Sequence, residues 1–138
     1  EMISRRLAPD VAIVTDVTHD TYSPMYNKKL QGDTKCGKGP VVTYGPAVQN
    51  NLLQFIINTA KESKIDFQRN AVSRSTGTDT DSFAYSSTGV ASALISLPLK
   101  YMHTTVEMVH EDDIEGCIQL MLASIKKLQA GQTFQYDK

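Results

Sequence analysis

Two short apolar runs constrain the fold of this chain more than any other feature of its sequence. Val11–Val14 and Ala93–Leu97 are nearly continuous in apolar residues, which is typical of strands buried on both faces of a parallel sheet. Two other stretches, residues 47–63 and 112–128, have apolar residues at the three- and four-residue spacing of amphipathic helices. Strands that alternate with helices predict an α/β fold, with a mostly parallel sheet between two layers of helices in an α/β/α sandwich.

The remaining segments predict shorter elements. We expect further strands at residues 40–44 and 65–72, the second at an edge of the sheet, and a short helix at Ser82–Ser86. Residues 17–39 lack periodicity and are rich in polar residues and glycine, which predicts a long loop. The first ten residues resemble the last turns of a helix, and we therefore expect the chain to begin inside a domain.

The final predicted helix contains one unbroken apolar stripe. Its members are Ile114, Cys117, Ile118, Met121, Leu122, Ile125 and Leu128. A stripe of this kind is expected to face the core. The acidic residues at the start of the helix and the lysines at its end favour the same assignment, because they complement the helix dipole.

Composition and charge exclude several classes of protein. With 138 residues, 41% of them hydrophobic and 21% charged, the chain can form one folded domain. Its net charge of −1 and the absence of a basic, aromatic-rich cluster argue against a nucleic-acid partner. No apolar stretch approaches the ~20 residues of a membrane span, so no membrane partner is expected. Two cysteines without disulfide or zinc-finger spacing predict reduced thiols and a cytoplasmic protein.

Two residues with metal-ligand chemistry follow the two apolar runs. Asp16 comes just after the first run and His103 soon after the second, and the carboxyl ends of strands in an open α/β sheet line the ligand-binding crevice. A carboxylate and an imidazole suit a divalent metal such as zinc, but a catalytic zinc takes three protein ligands. The pair is therefore part of a site. Two alternatives stay open: Asp16 caps the following turn, or His103 is an ordinary satisfied histidine.

A polar turn at residues 77–81 is the next candidate for function. It lacks the central glycine and distal glutamate of an EF-hand and the lysine of a phosphate-binding loop. We predict a turn and helix cap at the mouth of the crevice, offering backbone groups to a substrate. His19, Asp20 and His110 are expected to be solvated or capping loop residues. Cys36 has no nearby base that would make it a nucleophile.

Four motifs lie along the chain in an order and spacing similar to those of one family: Asp16-Val17-Thr18, Gly37-Lys38-Gly39-Pro40, Gly77-Thr78-Asp79 and Tyr101-Met102-His103. They resemble the carboxy-terminal portion of the dinuclear zinc aminopeptidases of the glutamyl and tetrahedral type, some of which are labelled endoglucanases. The resemblance runs from Glu1 to about Leu128. It implies that residues 1–138 are the carboxy-terminal part of a single metallopeptidase catalytic domain with the exopeptidase α/β/α fold.

The resemblance also implies roles for individual residues. The aspartate that matches Asp16 binds one metal in the family, the histidine that matches His103 binds the other, and the turn that matches Gly77, Thr78 and Asp79 borders the substrate cleft. The family's remaining ligands and its general-base glutamate precede the matching region. No catalytic residue is therefore expected in this chain, and the isolated chain is expected to be inactive.

For the intact enzyme, the resemblance implies removal of amino-terminal residues from peptides by water activated between two divalent metal ions, zinc or cobalt. It also implies homo-oligomers, often dodecamers. Two other functions stay open: a non-catalytic module of the same fold that serves assembly or peptide binding, and a glycan hydrolase. The latter needs two carboxylates ~5–10 Å apart, for which Asp79 and Asp81 are the conceivable pair.

Overall fold

Five strands and five helices follow one another along residues 2–86 and 89–136, the part of the chain that the computed structural model describes. In chain order they are α1 (Met2–Leu7), β1 (Val11–His19), α2 (Lys28–Gln31), β2 (Val41–Tyr44), α3 (Asn50–Glu62), β3 (Gln68–Ala71), α4 (Asp79–Ala84), β4 (Ala91–Lys100), β5 (Met108–Val109) and α5 (Glu111–Lys127).

The strands form one sheet in the order β1-β4-β2-β3. β1 and β4 are parallel over their whole paired length, from Val11 opposite Ala91 to His19 opposite Leu99. β2 runs antiparallel to β4 and pairs in parallel with β3, while β5 pairs antiparallel with the end of β4. The predicted α/β fold, a sheet with flanking helices, is confirmed. The sheet is mixed rather than mostly parallel because β2 runs against β4.

The main core lies between the sheet and the two long helices. Val42, Ala93 and Ile95 are fully buried on one face of the sheet. They join Leu120 of α5 and the buried apolar residues of α3, which are Leu52, Leu53, Ile56, Ile57 and Ala60. Each of the larger side chains contributes roughly 1.5–3 kcal/mol by leaving water. α4 packs against β1 and β4. This arrangement fixes the carboxyl ends of β1 and β4 side by side.

Several predicted boundaries differ from the observed ones. β1 does not end near Thr15 but continues to His19, and α2 lies inside the predicted loop of residues 17–39. The polar end of β1 stays in the sheet because β4 pairs with it throughout. α4 begins at Asp79, earlier than the predicted start at Ser82. The predicted strand at residues 40–44, the helix at 47–63 and the edge strand at 65–72 are confirmed as β2, α3 and β3.

The prediction that the whole apolar stripe of α5 faces the core was wrong in part. Cys117 and Leu128 pack against the core, but other members of the stripe do not. Four residues of the predicted stripe are well exposed: Ile114 (39%), Ile118 (53%), Leu122 (43%) and Ile125 (54%). The buried residues of the helix are Asp113, Leu120 and Ser124. The helix is turned this way because the Asp113 carboxylate accepts the backbone N–H groups of Gly37 and Gly39, at 2.6 and 2.7 Å. Gly116 also lies so close to Pro40 that a Cβ atom would meet its ring at 2.8 Å.

Within the described residues, no helix combines the length and the apolar character needed to cross a bilayer.

Candidate metal and substrate cleft

A cleft of about 550 Å³ lies where β1 and β4 end. Asp16 in the last part of β1 and His103 in the turn after β4 both line it, although they are far apart in the sequence. Parallel pairing of the two strands explains this, because it places their carboxyl ends at the same edge of the sheet. Residues 70–78, from β3 and the loop after it, form another part of the wall.

Asp16 has one oxygen engaged by the backbone and one available. Its Oδ1 accepts the N–H of Val17 at 2.7 Å, which is the local capping contact that its sequence position allows. Within residues 2–86 and 89–136, no donor is hydrogen-bonded to Oδ2. The local contact and a role as a monodentate metal ligand are therefore compatible.

His103 lies in a tight turn with unusual backbone angles. Both Tyr101 (φ 56°) and His103 (φ 65°) adopt the left-handed conformation, which costs of order 1 kcal/mol or more for residues other than glycine. The turn is held by Thr104, whose N–H and hydroxyl both donate to the carbonyl of Tyr101 at 3.2 and 2.6 Å. The N–H of His103 donates to the carboxylate of Glu107. The turn presents the exposed His103 side chain at the cleft.

The polar turn before α4 is organised by Asp81. Its carboxylate accepts hydrogen bonds from the hydroxyls of Ser75 and Thr76 and from the N–H groups of Thr76 and Gly77, at 2.8–3.2 Å. Burial acts to raise the pKa of Asp81, but these hydrogen bonds outweigh it and hold the pKa below its usual range. Asp81 is therefore a structural carboxylate in its ionised form.

Gly77 and Thr78 line the cleft, whereas Asp79 is not among its lining residues. Gly77 has a φ of 70°, and no atom lies within 4 Å of where its Cβ would be. Thr78 caps α4 by accepting the N–H of Thr80 at 3.2 Å. Asp79 is the first residue of that helix. The predicted combination of a turn and a helix cap at the crevice is present.

His19 is the residue of the cleft that the sequence analysis missed. It was expected in a loop, but it is the last residue of β1, is half-buried and lines the cleft. The hydroxyl of Tyr26 lies 2.6 Å from its Nδ1, and the two ring centroids are 4.9 Å apart. Burial, and then the charge of His103, lower the pKa of His19. Its position three residues after Asp16 could have indicated this place in the cleft, but only if β1 had been predicted to extend to His19.

The side chains of Asp20 and His110 both accept hydrogen bonds from backbone N–H groups. Asp20 is 1% exposed, and its carboxylate accepts the N–H groups of Tyr22 and Cys36 at 2.6 and 3.0 Å. Burial acts to raise the pKa of Asp20, but these hydrogen bonds and the charge of Lys100 bring it below its usual value. His110 is the N-cap of α5, as the capping interpretation expected.

The two cysteines are free and lack nucleophile chemistry. Burial and the neighbouring Asp20 carboxylate raise the pKa of Cys36 to about 12. Burial and Asp113 raise the pKa of Cys117 to about 11. Since the thiolate is the reactive form, both thiols are inert near neutral pH.

The donor set of the cleft fits part of a metal site. Asp16 supplies a carboxylate oxygen and His103 an imidazole, which are ligand types that zinc accepts. In the described part of the chain, however, no three side chains of His, Cys, Asp or Glu are grouped as a metal would require. A complete site needs donors from beyond these residues.

Comparison with known proteins shows which family this chain matches. The model of the M42 glutamyl aminopeptidase family matches residues 1–120. The lysyl aminopeptidase of Pyrococcus furiosus is 36% identical over 121 residues, which cover 88% of this chain and 34% of that protein. The chain spans about a third of the length of the curated relatives it matches.

Solved structures show the same fold. A TET aminopeptidase from Thaumarchaeota archaeon SCGC AB-539-E09 superposes with a TM-score of 0.83 at 30% identity, covering 93% of this chain and 36% of that one. The dodecamer PhTET1-12s gives 0.75 at 25% identity, with 92% and 37% covered. A protein described as a putative peptidase/endoglucanase gives 0.67 at 41% identity, with 85% and 34% covered.

Proposed function

The chain belongs to the M42 glutamyl aminopeptidase family, and from this membership we propose that the whole protein is a metal-dependent aminopeptidase acting on peptides. The observation that carries the proposal is the meeting of Asp16 and His103 in one cleft, at the carboxyl ends of β1 and β4. A carboxylate and an imidazole at that edge provide one ligand for each of two divalent metals, zinc or cobalt.

The chain's own residues would hold metal and substrate rather than move the proton. Asp16 offers Oδ2 and His103 its imidazole as ligands. Gly77 and Thr78 lie in the cleft wall, where they can contact a peptide, and Asp79 follows them as the first residue of α4. When bound, a dinuclear centre would polarise the scissile carbonyl and lower the pKa of the reacting water to about 7. The general base comes from outside these residues, so the isolated chain would be inactive.

The same family context supports further proposals about the intact protein. Residues 1–138 form part of a single catalytic domain, and the protein assembles into a homo-oligomer, as the similar dodecameric PhTET1-12s does. A cytoplasmic location suits the two free cysteines of this chain, because thiols are kept reduced in the cytoplasm.

A glycan hydrolase is not favoured by the cleft. Two of the similar structures carry an endoglucanase description, but the conceivable carboxylate pair of Asp79 and Asp81 does not suit that chemistry. Asp81 is engaged by Ser75, Thr76 and Gly77, and its pKa is lowered, whereas a glycosidase acid requires a raised pKa. A non-catalytic peptide-binding module remains the alternative that an activity assay must exclude.

The proposal is tested with the full-length protein loaded with zinc or cobalt. Aminoacyl p-nitroanilides and carboxymethylcellulose are offered as substrates, and the variants His103→Asn and His110→Asn are compared. Asparagine tolerates the left-handed backbone of residue 103 and also caps helices well, so both variants should fold. We expect release of p-nitroaniline, no sugar release, and a loss of roughly 100-fold or more in His103→Asn only.

Two results would contradict the proposal. Sugar release without peptide hydrolysis would favour the glycan hydrolase. Peptide binding without turnover, unchanged in His103→Asn, would favour the non-catalytic module.

A further inference from the structure

His19 combines three features that the proposed metal site does not use. It is half-buried at the end of β1, it lines the same cleft as Asp16 and His103, and its Nδ1 is occupied by the hydroxyl of Tyr26 at 2.6 Å. The ring of Tyr26, 4.9 Å away, packs against the imidazole and fixes its orientation. An imidazole held in this way on a strand, rather than on a loop, is well placed to contact a ligand.

The contact with Tyr26 determines what the other nitrogen offers. A neutral imidazole carries its proton on one nitrogen and accepts on the other. If the phenol hydroxyl donates to Nδ1, as a protonated tyrosine does to a basic nitrogen, the proton of His19 is on Nε2. Among residues 2–86 and 89–136, no acceptor is hydrogen-bonded to Nε2. A protonated Nε2 cannot bind a metal, but it can donate a hydrogen bond.

We propose that His19 is a substrate-binding residue, whose Nε2–H donates to a carbonyl oxygen of the peptide bound in the cleft, and that Tyr26 is its positioning residue. This inference rests on the proposed function, because it takes the cleft to be a peptide site. A peptide main chain presents carbonyl oxygens, and the polar side chains of Thr18, Asn70 and Arg74 also line the cleft. A fixed donor among them would set the register of the substrate relative to Asp16 and His103.

Two substitutions at position 19 separate a hydrogen-bond donor from a ring. His19→Phe keeps the ring and loses both nitrogens. His19→Gln places an amide N–H near the position of Nε2. In the full-length metal-loaded enzyme we expect kcat/KM for an aminoacyl p-nitroanilide to fall about 10–100-fold in His19→Phe, and to stay within about fivefold of the wild type in His19→Gln.

Tyr26→Phe tests the positioning role, with Tyr22→Phe as its matched control. Both changes remove one hydroxyl, four positions apart, but Tyr22 does not line this cleft. We expect a fall of about 3–10-fold in kcat/KM for Tyr26→Phe and none for Tyr22→Phe. The ¹⁵N chemical shifts of the His19 ring give an independent readout, since they report the protonated nitrogen. Nε2–H is expected in the wild type and a mixture of tautomers in Tyr26→Phe.

Each other outcome overturns the inference in a recognisable way. Equal losses in His19→Phe and His19→Gln, or a loss in neither, would show that no donor is needed at this position. A proton on Nδ1 would mean that Nε2 cannot donate, and a fall in bound metal per subunit in His19→Phe would make His19 a ligand instead. An inactive wild-type enzyme would remove the proposed function itself, and the substrate role of His19 with it.

Discussion

Two buried carboxylates hold the loop that leads from the cleft edge into β2. Asp20 accepts the N–H of Cys36, and Asp113 accepts those of Gly37 and Gly39. The sequence predicted a solvated or capping role for Asp20. It did not predict the role of Asp113, because the glycine loop lies far from Asp113 along the chain. At the residue scale, the loop geometry depends on charge-assisted hydrogen bonds rather than on apolar contacts.

The first prediction concerns Asp113. Asp113→Asn places an amide NH₂ group opposite a backbone N–H, so one buried donor loses its acceptor. We expect the free energy of unfolding to fall by about 2–3 kcal/mol. Asp112→Asn is the matched control, because the neighbouring side chain is 86% exposed, and its effect should stay within about 0.5 kcal/mol. Urea unfolding followed by circular dichroism measures both, and similar values for the two variants would contradict the buried role.

The second prediction follows from the thiols. The pKa of Cys36 is raised to about 12 and that of Cys117 to about 11, from an ordinary value of 9.0. Above that value the unfolded chain loses thiol protons that the folded chain still holds. This contribution to stability is therefore complete below about pH 9 and declines as the pH rises towards the folded-state values.

Other groups titrate in the same range, so a double variant isolates the effect of the thiols. The urea midpoint should fall more between about pH 8 and about pH 10 in the wild type than in the Cys36→Ala, Cys117→Ala variant. Equal pH slopes in the two proteins would show that burial does not retain the protons.

At the scale of elements, α5 shows how a tertiary contact overrides an amphipathic pattern. Four of the seven residues of its apolar stripe are exposed, while Cys117 and Leu128 pack against the core. The helix has this rotation because Asp113 and Gly116 dock on the loop of residues 37–40. Leu120 points into the core as a consequence, and it is 0% exposed.

The third prediction compares two leucines on this helix. Leu120→Ala removes a buried side chain and leaves a cavity, and it should lower the free energy of unfolding by about 2–5 kcal/mol. Leu122→Ala is chemically the same change at a side chain that is 43% exposed, and it should cost less than about 1 kcal/mol. Chemical denaturation of the chain measures both values. A larger loss in Leu122→Ala would restore the predicted orientation of the stripe.

At the scale of the whole molecule, the proposed metal site would be shared between this chain and residues beyond it. Asp16 and His103 each offer one possible metal ligand. The described residues contain no group of three His, Cys, Asp or Glu side chains that could hold a metal ion. Affinity for a metal depends on the number of ligands and on their support by neighbouring groups.

The fourth prediction is that the isolated chain binds zinc weakly. Calorimetric titration should give an affinity typical of a surface histidine, little changed by His103→Asn, and the chain should not hydrolyse aminoacyl p-nitroanilides. Tight binding of one or two zinc ions that His103→Asn abolishes would contradict this, because the missing ligands would then come from within the chain or from a second copy.

The sequence alone determined the α/β fold class, the positions of strands β1 and β4, helix α3 and the family resemblance, because each depends on local periodicity or on motif order. Of the two strands expected to be buried, β4 is buried, whereas β1 lies at an edge of the sheet and only Ala12 in it is buried. It also predicted that Asp16, His103 and the turn at residues 77–78 lie at one crevice, since strand ends are predictable sites for ligands, and all of them line the same cleft. Whether Asp79 and the two expected ligands have their proposed roles remains a prediction.

Only the tertiary structure decided the direction of β2, the length of β1, the rotation of α5 and the place of His19 in the cleft. Each of these depends on a partner that is distant in the sequence. β4 pairs with both β1 and β2, and the N–H groups of Gly37 and Gly39 bind Asp113 of α5. The turn that carries His103 lines the same cleft as His19. A contact with a distant part of the chain does not produce a hydrophobic periodicity in the local sequence. The polar residues at the end of β1 therefore predicted a loop from the sequence, although pairing with β4 keeps them in a strand.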